Sequence, residues 1–202
     1  SFTCTGTGGQ TAESYAVDRA GNPDTTPSSV VYSRDTAAPE TSDLTAAPSG
    51  WTGSNVTITG SVTDTGGSVV KGYYYKCAAA DGFTFSAGPS ISFPCSSTGG
   101  QTASAYGIDN ANITDGTPSS VSYYVDKTAP TTPAINASPS GWTSGNVTIS
   151  AGSAITDAGG SGVSGYYYRC AAGTAWNLSA GASISFTCTG TGGQTAESYA
   201  VD

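Results

Sequence analysis

The chain has 202 residues, 37% hydrophobic and only 10% charged, enough for two domains of ordinary size. Six Lys and Arg against fourteen Asp and Glu leave a net charge of −8, and the basic residues are scattered, so a nucleic-acid binder's electrostatic footprint is missing. No apolar run approaches the roughly 20 residues that span a bilayer. With no His, no recurring nucleophile–base pair and no phosphate-binding loop, an enzyme is not expected.

Tyr, Thr and Val favour pleated, half-buried strands, and Gly, Pro, Asn and Asp punctuate them. Recurring aromatic and Cys positions argue against disorder. An all-β protein is expected.

The chain opens on SFTCTGTGGQTAESYAVD, Ser1 to Asp18, and the same eighteen residues return unchanged from Ser185 to Asp202. A variant, SFPCSSTGGQTASAYGID, runs from Ser92 to Asp109. The steps of 91 and 93 residues define a repeating unit, and internal periodicity outranks other signals of architecture. Residues 1–35 read as the last strands of one unit, followed by the linker Asp35-Thr36-Ala37-Ala38-Pro39. Its Pro and small residues fix an extended connection and forbid helix.

Residues 36–126 read as a complete unit. Leu44 to Trp51 is a first short strand broken by Pro48-Ser49-Gly50, and Asn55 to Thr59 alternates with Val56 and Ile58 on one face. Thr63 to Ser68 is a Gly-rich turn. Val69 to Cys77 carries Tyr73-Tyr74-Tyr75, whose middle ring faces away from the other two, so at least one Tyr per triplet is expected to be exposed. Phe83 to Phe85 is an edge strand and Ile91 to Cys95 follows it. Gln101 to Asp109 alternates Ala103, Ala105 and Gly107 against Ser104, Tyr106 and Ile108, and Ser120 to Val125 closes the unit. About seven short strands in about 90 residues, with a turn every 8–12, is the pattern of an antiparallel β-sandwich of immunoglobulin type. After the linker Asp126-Lys127-Thr128-Ala129-Pro130, residues 127–202 repeat the pattern without its final strand. The expectation is an excerpt of a longer array rather than strand exchange between chains, because the same strand stands at both ends. No signal peptide or sorting tail is visible, as expected of a chain that begins in mid-repeat.

In their fixed order these motifs resemble the immunoglobulin-like tandem repeats of large bacterial and archaeal surface proteins. The residues that carry the likeness are Gly50-Trp51 and Gly141-Trp142, each followed by Asn-Val-Thr-Ile, the Thr-Asp-x-Gly-Gly-Ser turn, Tyr-Gly-Ile-Asp or Tyr-Ala-Val-Asp, the Asp18-Arg19-Ala20-Gly21-Asn22 strand close, and Asp-Lys-Thr-Ala-Pro. The resemblance implies secreted stalks, adhesins, fibres or spacer modules of secreted enzymes, and does not single one out.

Five Cys occupy two equivalent positions. Cys77 and Cys95 are 18 apart, as are Cys170 and Cys188, while Cys4 matches Cys95 and Cys188 with its partner outside the chain. Two disulfides are expected, each stabilising its unit by about 3 kcal/mol and pointing to an oxidising, extracellular or cell-surface setting. A thioester between Cys95 and Gln101 is the competing reading, but Cys77 is the nearer explanation. A zinc site would need more Cys or His than this.

Acidic residues gather at turns and linkers: Asp64 and Asp157 in equivalent turns, Asp18 and Asp109 at strand ends, and Asp35 and Asp126 before the linkers. No cofactor is required, and calcium is the candidate metal for these positions, since Asp beside flexible turns offers the oxygens it needs. Good turn formers are the plainer explanation. Sequons at Asn55, Asn112, Asn136, Asn146 and Asn177 make the chain a candidate glycoprotein. The leading expectation is a structural repeat of an extracellular filament or cell-surface stalk, with copies of itself or further repeats as partners. The alternatives are an adhesin for glycans, ice or a host surface, and a spacer in a secreted enzyme.

Overall fold

The computed structural model describes all residues, Ser1–Asp202, and is all-β. Two compact units divide it: Ser1–Ser49 with Val56–Cys95 and Gln101–Tyr123, and Gly50–Asn55 with Ser96–Gly100 and Tyr124–Asp202.

The first strands, β1 (Gly8–Ser14) and β2 (Ser28–Arg34), form an antiparallel hairpin by themselves. After the linker come β3 (Glu40–Thr41), β4 (Thr45–Ala47), β5 (Trp51–Thr52), β6 (Val56–Thr63) and β7 (Val70–Lys76). Then follow β8 (Thr84–Ala87), β9 (Ser90–Cys95), β10 (Gly99–Asp109) and β11 (Ser119–Val125). One sheet has the order β3-β6-β4 with β9 also paired to β6, and the other runs β5-β11-β10-β7-β8.

The alternation read in β6 holds, and that in β10 holds through Gly107, after which Ile108 is buried too, beside a register shift in the pairing with β7. Val56, Ile58 and Val62 from β6 are buried, as are Ile91 and Phe93 from β9, Tyr73 from β7 and Ala103 and Ala105 from β10. Small residues on β10 leave room for the large Tyr and Phe side chains that fill the interior. The segment expected as one strand from Leu44 to Trp51 instead becomes two pieces in different sheets. β4 pairs antiparallel with β6, whereas β5 pairs parallel with β11. Pro48 supplies no N–H and Gly50 no side chain, so the ladder stops and the chain crosses over.

The later part carries β12 (Ile135–Ser138), β13 (Val147–Ala151), β14 (Gly165–Arg169), β15 (Asn177–Ala180), β16 (Ser185–Cys188) and β17 (Glu197–Val201). They form sheets of order β12-β13-β16 and β15-β14-β17. Ile149, Ile155, Tyr166, Ile184 and Phe186 make the core there.

Two ties recur. Cys77 follows β7 and Cys95 ends β9, so the first disulfide links one sheet to the other, and Cys170–Cys188 does the same from β14 to β16. Four residues before each first Cys, a buried Tyr makes a second link. The Tyr73 hydroxyl donates to the Ser92 carbonyl at 3.3 Å and accepts from the Ser92 amide at 3.2 Å. Tyr166 does the same with Ser185 at 2.9 and 3.0 Å.

Candidate metal centre in the aspartate clusters

Asp35 leaves β2 at the start of a linker, Asp64 follows β6 in the Gly-rich turn, and Asp109 ends β10. They lie 29 and 45 residues apart in sequence, yet one carboxylate oxygen from each falls within 4.8 Å of the others. Asp126, Asp157 and Asp202 form a second cluster by the same measure. Each member of the second cluster is the repeat counterpart of a member of the first.

Local hydrogen bonding sets these carboxylates in place. Asp35 Oδ1 accepts from the Ala37 amide at 2.9 Å, and Oδ2 from the Ser68 amide at 2.9 Å. Asp64 Oδ1 accepts from the Gly66 amide at 3.0 Å. Asp109 Oδ1 accepts from the Ile113 amide at 2.7 Å. Asp126 repeats the arrangement of Asp35, taking the Thr128 and Ser161 amides, each at 2.9 Å. The linker aspartates therefore reach into the Gly-rich turns. The turn glycines make space for them: a Cβ on Gly66 would overlap the Asp35 carboxylate, and one on Gly159 would overlap that of Asp126. The Ser68 side chain, then the amides of Ala37 and Ser68, hold Asp35 below the ordinary carboxylate range. The amides of Ser161 and Thr128 do so for Asp126. Hydrogen bonds to the charged form are the cause in both.

One carboxylate is under-satisfied. Asp109 is fully buried, and its Oδ2 has no hydrogen-bond partner. Buried anionic oxygens are normally hydrogen-bonded or metal-bound.

Asp18 does not join a cluster. Its carboxylate closes a local loop, accepting from the Ala20 and Asn22 amides at 2.8 and 2.9 Å and from the Asn22 side chain at 3.0 Å. That loop explains Asp18 as a turn former. Asp202, absent from the sequence-derived set, takes the third place in the second cluster. The unchanged repeat of Ser1–Asp18 at Ser185–Asp202 was the signal that equates it with Asp18 and Asp109.

The expected disulfides Cys77–Cys95 and Cys170–Cys188 both form, and Cys4 is a free, half-buried thiol. Cys95 is thus committed to Cys77 rather than to a thioester. All five sequon residues, Asn55, Asn112, Asn136, Asn146 and Asn177, are exposed. The expected exposed Tyr of each triplet is not found: Tyr74 and Tyr167 are half-buried. Cross-strand rings cover them, Tyr106 stacking on Tyr74 at 5.3 Å and Tyr199 on Tyr167 at 5.1 Å, because strand neighbours on one face lie within ring reach. Phe83 and Trp176 extend these rows edge-on, and Lys76 and Arg169 sit over them at 5.0 and 4.5 Å.

No known family model matches the chain, and no curated protein is significantly similar to it. No helix is long and apolar enough to cross a membrane.

Proposed function

We propose that this chain is a structural stretch of an extracellular filament or cell-surface stalk, built from immunoglobulin-like units strung end to end. The observation that carries the reading is the pair of equivalent intersheet disulfides, one in each repeat of the sequence. Covalent ties in every unit suit an oxidising, extracellular setting. Modules that fold locally extend reach by repetition, and short Pro-containing linkers limit bending between them. On this reading the chain is not a catalyst, and it resembles the immunoglobulin-like repeats of microbial surface proteins in role as well as in motif order. Exposed sequons suit a glycosylated fibre surface where the host has the machinery.

The test is the mass and assembly state of the polypeptide from its source. Denatured and reduced, a mass far above 19.9 kDa is expected, with rod-like particles in the native state. A reduced mass near 19.9 kDa together with a native monomer would refute the filament.

A second reading, an adhesin-type module, draws on the half-exposed aromatic rows. Phe83 and Phe85, before and on β8, and Trp176 and Tyr199, before β15 and on β17, are each more than a third exposed, and flat rings suit sugars. Saturable binding on a glycan array that is lost in Phe83→Ala would favour this reading.

A further inference from the structure

We propose that Asp35, Asp64 and Asp109 bind a calcium ion. Clustered acidic residues alone are common on protein surfaces, and Asp109 sets this cluster apart. Asp109 has no exposure, and its Oδ2 is a buried anionic oxygen without a donor. Two further carboxylates stand within 4.8 Å of that carboxylate. No cationic side chain answers this charge: Asp109 is in no ion pair, and Lys71, on the neighbouring strand, donates instead to Asn112 at 2.8 Å. An uncompensated trio of carboxylates, one of them buried, is a costly arrangement for an apoprotein and an ordinary one around a divalent cation.

The geometry selects among cations. Three oxygens no more than 4.8 Å apart leave a point within about 2.8 Å of all of them, close to the 2.3–2.6 Å shell of calcium. Small side-chain rotations close the difference. Magnesium demands a shorter, near-octahedral shell, and zinc prefers the nitrogen and sulfur ligands that these clusters lack. The amide donors already bound to the carboxylates occupy one lone pair of an oxygen that has two, so a cation can share them. Asp35 and Asp64 are only half-buried, which leaves an open side for the water ligands that complete a six- to eightfold shell.

The ion would tie three segments: the exit of β2, the turn after β6 and the end of β10. Its effect is to fix the linker aspartate in the turn more firmly than two amide bonds can.

The test is calcium titration of the full chain after chelation, followed by calorimetry and by thermal unfolding. One equivalent per chain is expected. At a hundredfold excess over Kd, the unfolding midpoint should rise by at least about 5 °C, and by less than half of that with magnesium. Asp109→Asn should remove one equivalent, and in chelator it should unfold at a higher temperature than the unmodified chain, because it relieves the buried charge. That reversal of sign between the two conditions is not expected of a residue that merely packs. Should Asp109→Asn fail to fold, Asp64→Asn serves, with the same loss of one equivalent. The proposal is overturned by no saturable heat and no midpoint shift up to about 10 mM calcium, roughly tenfold beyond the weakest extracellular modules. It is equally overturned if both variants keep that equivalent.

Discussion

Asp115 shows how a single acidic side chain organises its neighbourhood without any ligand. It is buried, and its Oδ2 accepts from the Thr41 amide at 2.9 Å. Its Oδ1 takes the Thr117 amide at 2.8 Å and the Thr117 hydroxyl at 2.9 Å. Thr41 in turn accepts from the Gly107 amide through its hydroxyl at 2.9 Å, so the short strand β3 is held to β10 through side chains. Burial disfavours the charged form of Asp115, but the bonds from Thr117 and Thr41 outweigh it and hold the carboxyl below its usual range. A depressed folded-state value means stability that is complete above the unfolded value of about 3.9 and lost as pH falls through the folded value. Asp115→Asn keeps one acceptor oxygen and puts an NH2 against an amide donor. It should cost about 1–3 kcal/mol at neutral pH. Urea midpoints should show that gap closing as pH drops below about 4; a gap that persists unchanged at low pH would rule out the charged form as the source. Val69 illustrates tolerance rather than design. It sits at φ 58°, where its repeat counterpart is Gly162 at φ 87°, a conformation that favours glycine over a β-branched residue.

At the scale of elements, two buried tyrosines make opposite demands. The Tyr73 hydroxyl is bonded to both backbone groups of Ser92, whereas the Tyr123 hydroxyl is buried with no partner. Tyr73→Phe should therefore destabilise by about 1–3 kcal/mol, and Tyr123→Phe should be neutral or slightly stabilising. Equal losses in denaturant melts of the two variants would contradict this. Much of this level was legible in the sequence. Period-two alternation located β6 and β10, and paired Cys at equal spacing located the staples. Other features were not, because they depend on partners distant in the chain. The crossover between β4 and β5 could be read as a break at Pro48 but not as a change of sheet. The covering of Tyr74 by Tyr106 depends on the β7–β10 register, which no local pattern reveals. The aspartates were candidates because they recur, but no loop motif joins residues 29 and 45 positions apart. Their convergence belongs to the fold.

Across the whole molecule, the intersheet disulfide has a consequence beyond resistance to melting. When a chain is pulled from its ends, a crosslink removes the enclosed residues from the path that carries tension. Cys77 and Cys95 are 18 residues apart, as are Cys170 and Cys188. At about 3.4 Å per extended residue, each bond withholds about 60 Å of contour length. Single-molecule stretching should show each unfolding step lengthening by about that amount after reduction, and a step of unchanged length would mean that the crosslink lies outside the loaded path. An oxidised chain thus yields less length when a unit gives way. The shortened segment is a tether that can still regain its fold once the load falls.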